Sequence, residues 1–202
     1  FPEFSGLCFL AVYNEIQHNI FPKRFKDLIE ITREKDFLDL LISCDVEPIS
    51  DYTSFHKKLS SINKITDIQA TIYPPNPLFG RLWKSLKEYL EERNVSSLNI
   101  KEHSEKKDGI NTNLPNMVND LSENLSISEN TATITDAAIL MAADGYGQGK
   151  VLGTGNDDLI IEIKTSDTKV SFLFEKEPTV QALAKVAYDK FLRININRKM
   201  GH

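Results

Sequence analysis

The spacing of apolar positions along the chain changes repeatedly, and each change marks an element. Leu7-Cys8-Phe9-Leu10-Ala11-Val12 is a continuous apolar run, which predicts a buried strand over 6–13. A turn at Asn14-Glu15 and a short return strand over 17–21 follow. Pro22 suits the first turn of a helix, and Phe25, Leu28, Ile29 and Thr32 fall at helical spacing behind it. Phe37, Leu38, Leu40 and Leu41 form a second apolar patch after the charged break Arg33-Glu34-Lys35-Asp36. Residues 46–49 read as a short strand, placed at an edge by Pro48. Asp51 can cap a helix over 52–61, because its carboxylate can accept from amides of the first turn.

Residues 65–73 make a strand of mixed pattern, stopped by Pro74-Pro75-Asn76-Pro77. Leu78, Leu82, Leu86 and Leu90 then recur every four residues and define an amphipathic helix. Phe79, Trp83 and Tyr89 lie alongside them and read as core. A strand over 95–101 completes a strand–helix–strand unit, which suggests parallel or split pairing. Residues 102–112 are polar and contain Asp108-Gly109, so they predict an exposed loop and an internal boundary, with portions 1–107 and 108–202. Helices are expected over 114–125 and 134–143, the second closed by Asp144-Gly145. Three strands at about 148–153, 158–164 and 169–175 and a last helix opened by Pro178 complete the chain. The predicted class is α+β: a mixed sheet with packed helices and a C-terminal antiparallel meander closed by a helix.

Composition narrows the function classes. The 202 residues are 41% hydrophobic and 26% charged, which excludes a collagen, a disordered tail and a disulfide scaffold. The net charge of −5 excludes an all-over basic nucleic-acid binder. The charge is unevenly placed. No Lys or Arg lies between Lys107 and Lys150, and that gap holds Asp108, Asp120, Glu123, Glu129, Asp136 and Asp144. This stretch repels a phosphate backbone, so nucleic-acid contact must come from elsewhere. Candidates are Lys23, Arg24 and Lys26, then Lys57 and Lys58, then Arg81, Lys84 and Lys87, each also readable as a solvated helix face. Cys8 and Cys44 belong to no CxxC pair and read as buried reduced thiols, which fits a cytoplasmic protein. No apolar run is long enough to span a bilayer. The start at Phe1 rather than Met predicts a fragment or processed product with a front portion missing.

Two motifs invite chemistry. Gly145, Gly147 and Gly149 precede Lys150, but Val151 stands where a phosphate loop needs Ser or Thr, and the run is one residue short of a kinase loop. A helix exit followed by a Gly-rich strand start explains the same glycines. The second motif is Asp144, Asp157 and Asp158 followed by Glu162-Ile163-Lys164, which resembles the D-(x)n-[DE]-x-K signature of restriction-type nucleases. In that family an aspartate and a strand-borne glutamate hold a divalent metal, and the lysine positions or activates water. On a strand, Glu162 and Lys164 project from one face. Asp144, Asp158, Glu162 and Lys164 would be catalytic, with Asp158 and Glu162 holding Mg²⁺. Gln181 and Tyr188 faintly echo accessory residues of such nucleases. An exposed face of an ordinary strand gives the same pattern. Without the nuclease reading, no cofactor is expected.

Three stretches carry a wider resemblance: residues 9–21, Ile68-Gln-Ala-Thr-Ile-Tyr-Pro-Pro-Asn-Pro77, and 137–153 with the turn after Lys164. In that order they resemble an uncharacterised bacterial and prophage family of small α+β domains. That family is distantly similar to the phage-exclusion protein Rex A of lambdoid prophages. The resemblance implies a role in antiviral defence, acting by binding or sensing of nucleic acid or a partner defence protein, with a homo-oligomer as one expected form. It brings no catalytic residues with it.

Overall fold

The computed structural model describes residues 20–36, 48–73, 95–123, 132–170 and 178–199, with positions 86, 89, 90, 92, 93 and 125. The strand expected over 6–13, the apolar patch at 37–41, Cys8 and Cys44 lie outside the described residues. The chain divides into two units, Phe1–Pro48 and Ile49–His202.

The first unit contributes α1, Phe21–Asp36. It starts where Pro22 predicts, and its first turns stack Phe21 on Phe25 with ring centroids 6.0 Å apart.

The second unit is organised by a four-stranded sheet in the order β2-β1-β3-β4. These strands are β1 (Lys64–Ile72), β2 (Leu98–His103), β3 (Gly147–Thr154) and β4 (Ile160–Lys164). With its helices it makes the α+β fold that the sequence predicts. Every pairing among the described strands is antiparallel. This corrects the parallel or split pairing expected for 65–101: β2 runs back along β1. The sheet also draws strands from both sides of the polar loop at 102–112.

The awkward pattern of β1 has a local cause. A register shift between Ile65 and Asp67 inserts one residue opposite β3. That bulge lets Ile65 and Ile68, three apart, both be buried. Beyond it the period is two, and Ile68, Ala70 and Ile72 face the core while Asp67, Gln69 and Thr71 face away.

Helix α4 (Ile134–Met141) packs on the buried side of β1. Thr133 caps it, its hydroxyl accepting from the Asp136 amide at 3.1 Å. Residues 135–141 of this helix are all buried. Helix α2 (Tyr52–Leu59) is capped by Asp51, as the sequence predicts, and buries Phe55 and Leu59. It packs on α3 (Leu114–Ser122), which buries Leu114, Met117, Val118 and Leu121. Leu86 and Leu90 of the predicted amphipathic helix are helical and buried. The chain then closes on itself around Ser50. The Ser50 amide donates to Ala143 O at 2.8 Å, its hydroxyl to Thr165 O at 2.8 Å, and Val170 N to Ile49 O at 2.7 Å. Of the third meander strand expected at 169–175, the structure describes a bridge from Lys169 to Ser50, and 171–177 lie outside the described residues. Helix α5 (Val180–Lys199) follows Pro178.

Candidate functional site

The glycine run between α4 and β3 is structural. A single wide turn, Ala142–Tyr146, leaves α4, with Gly145 at φ 90°. Only glycine adopts this backbone without strain. At Gly147 a Cβ would stand 2.0 Å from Thr71 O, so β1 and β3 approach too closely for any side chain there. Gly149 sits against Ile139 and Ala142 of the α4 segment, and its amide donates to Thr165 Oγ1 at 3.1 Å. Lys150 therefore belongs to a strand, not to a phosphate loop.

Alternation along β3 separates two faces. Gly147, Gly149, Val151 and Gly153 are buried beneath the helices. Gln148, Lys150, Leu152 and Thr154 point the other way. The registers then set rows across the open face. Lys101, Gln69, Lys150 and Lys164 stand opposite one another across all four strands. The next row is His103, Asp67, Leu152 and Glu162. On the other side lie Asn99, Thr71 and Gln148.

Glu162 and Lys164 do come together. Lys164 Nζ lies 3.0 Å from Glu162 Oε1, and Lys150 Nζ lies 3.5 Å from Glu162 Oε2. The Lys164 hydrogen bond, helped by the charges of both lysines and a hydrogen bond from Lys150, holds the Glu162 carboxyl below its ordinary value against the opposing effect of desolvation. The same contact raises the Lys164 ammonium above its ordinary value. Glu162 is thus an ionised acceptor between two cations. Across the same row, Asp67 Oδ1 meets His103 Nδ1 at 2.8 Å. Burial pulls the Asp67 carboxyl up, but hydrogen bonds from His103 and Thr66 and the charges of His103 and Lys101 outweigh it and lower it.

The aspartates of the nuclease-like signature take other places. Asp144 is 95% buried on the helix side, its Oδ1 accepting from Tyr52 Oη at 3.0 Å. Asp157 and Asp158 occupy the exposed β3–β4 turn. Asp158 adopts φ 57°, a left-handed conformation that Asp tolerates in turns. Among the described residues, no group of three or more His, Cys, Asp or Glu side chains could hold a metal ion. Gln181 and Tyr188 sit on exposed positions of α5.

The described cationic candidates lie on two separate helices. Lys23 and Arg24 are exposed on α1, where Lys26 pairs with Glu30 at 3.9 Å. Lys57 is exposed at the end of α2, and Lys58 Nζ donates to Asp167 O at 3.2 Å. Arg81, Lys84 and Lys87 lie outside the described residues. Among the described residues, no helix is long and apolar enough to cross a membrane.

The sequence model of one family, a domain of unknown function, matches residues 2–193. The chain belongs to the DUF4747 family. No curated protein and no solved structure matches it. In this DUF4747 chain the residues that sequence reasoning missed are Lys101, Gln69, Lys150, Asp67 and His103. The alternation of Gln148, Lys150 and Leu152 against glycines was a readable signal for an open face. The row itself was not, because it depends on the registers of three separate pairings.

Proposed function

We propose that this chain acts by binding, as a sensing component of bacterial or prophage antiviral defence, with nucleic acid or a partner defence protein as its ligand. The observation that carries the binding part is the open sheet face. Four strands present polar and charged groups in register, interrupted by Leu152 and Ile160. A sheet face of exposed and half-buried polar side chains is a ready surface for a ligand. The defence part rests on the resemblance of residues 9–21, 68–77 and 137–153 to the prophage family. A phage-challenge assay tests it: cells expressing the full chain should plate phage less efficiently than cells without it. Equal plating across a phage panel removes the defence role.

A second reading, a Mg²⁺-dependent nuclease, is favoured by one observation, the Glu162–Lys164 contact at 3.0 Å. It needs an aspartate beside Glu162, whereas the groups bonded to Glu162 are two ammonium groups. Glu162→Ala and Lys164→Ala should each abolish cleavage of a nucleic-acid substrate under this reading. Unchanged activity in both ends it.

A further inference from the structure

The row Lys101–Gln69–Lys150–Lys164 has a geometry of its own. Strands lie about 4.8 Å apart, so the row runs about 14 Å across the sheet. It carries three ammonium groups and one amide, and no acid lies within it. The two acids of the neighbouring row are already engaged, Glu105 stands beside His103, and the Asp167 charge acts on Lys164 from the following turn. Asp67 is bonded to His103, and Glu162 bridges Lys150 and Lys164. The flanking row of Asn99, Thr71 and Gln148 adds neutral polar groups. The acidic stretch between Lys107 and Lys150 runs through α3 and α4, and α4 covers the opposite face of the sheet. Lys150 is the first cation after that stretch, and it points away from it.

We infer that this open face binds the phosphodiester backbone of a single-stranded nucleic acid laid along the lysine row, with Glu162 occupying Lys150 and Lys164 until the phosphates displace it. The inference rests on the binding reading above and deepens it. Ammonium groups donate to phosphate oxygens as point charges and do not read bases. The lysine row carries no ring on which a base could stack, so binding is indifferent to base sequence. The lysines of this row stand on a sheet rather than on a helix or ribbon that enters a duplex groove, and a single strand can lie across such a face. Three neutralised phosphates give an affinity that falls with salt with a log–log slope of about −2.

Fluorescence anisotropy on the full chain tests this with labelled oligothymidylate and oligouridylate of about 15 nucleotides. Both should bind, with similar affinity and the salt slope just given. The triple variant Lys101→Glu/Lys150→Glu/Lys164→Glu should weaken binding about tenfold or more. The control Lys106→Glu/Lys107→Glu/Lys185→Glu makes the same charge change at exposed positions off the sheet and should bind like the wild type. Glu162→Gln frees two lysines and should tighten binding about threefold or more, opposite to its effect on a nuclease. This arm decides the matter if the triple variant fails to fold. No binding by the wild type, equal binding of a duplex, a control that weakens as much as the triple variant, or a Glu162→Gln that loosens binding would each overturn the inference. A wild type that protects cells from phage but binds neither oligonucleotide overturns it and leaves the defence reading standing. One that binds both but does not protect removes the defence role and supports the inference.

Discussion

The two faces of one sheet obey different rules. The helix-covered face is built from Ile68, Ala70, Ile72, Val151 and Ile163, with glycines where the backbones crowd together. Its polar atoms are few and specific. Asp136 is fully buried, with Oδ1 accepting from the Thr112 hydroxyl and Oδ2 without a hydrogen-bond partner. The open face carries exposed and half-buried side chains. Its side chains are held by charge: Lys150 and Lys164 on Glu162, His103 on Asp67. The contrast teaches that β1 and β3 serve two purposes at once, one on each set of alternate residues. Stability resides on one face, and the proposed binding surface is the other.

Substitutions should separate the faces sharply. The largest effect is expected at Gly147. A Cβ there meets backbone on β1, so Gly147→Val should cost about 3 kcal/mol or more and could abolish cooperative unfolding in urea. Next is Ile139→Ala, which empties a fully buried site under β3 and should cost about 2–5 kcal/mol. Asp136→Ala removes the acceptor of Thr112 and also a partnerless buried oxygen, and the two effects offset to about 1 kcal/mol by the same measurement. On the open face, Asn99→Ala and Lys101→Ala should stay within about 0.5 kcal/mol of the wild type. A loss above that from either would break the division between the faces.

The smallest expected effect is on acid sensitivity. Asp67 and Glu162 are both held below their ordinary carboxylate values of 3.8 and 4.5. The unfolded chain therefore takes up these protons first as pH falls. The stabilisation is present above the ordinary values and is lost as pH drops through the lower folded ones. Asp67→Asn and Glu162→Gln should each flatten the decline of the urea midpoint between about pH 6 and about pH 3. A decline as steep as the wild type's in both variants would show that these pairs do not hold the open face.

Much of the fold was legible because local rules dominate it. Asp51 caps α2, Pro22 and Pro178 open helices, and the alternation of Gln148 to Thr154 marks a strand. The direction of β2 was not legible. A helical segment between two strands is compatible with parallel or antiparallel return, and only packing decides. The bulge after Ile65 was hidden for the same reason, since it looks like a broken period until β3 is paired against it. In the candidate site, the Glu162–Lys164 neighbourhood followed from period two alone. Its third member, Lys150, came from a distant strand. The aspartates misled because proximity in sequence to Glu162 says nothing about which side of a sheet a turn residue occupies. Asp144 points under the helices to Tyr52.

The position of β1 at the centre of the sheet also orders events during synthesis. Its two neighbours are β2 and β3, and β3 begins at Gly147, long after β1 ends at Ile72. A ribosome releasing this chain from its N-terminal side exposes one edge of β1, with unpaired amides and carbonyls, until residue 154 has emerged. At about 5–20 residues per second, the roughly 80 residues between them keep that edge open for seconds. The β3–β4 hairpin can form locally, but the sheet closes only when it docks. This is the interval in which the nascent chain is most open to pairing with the wrong strand.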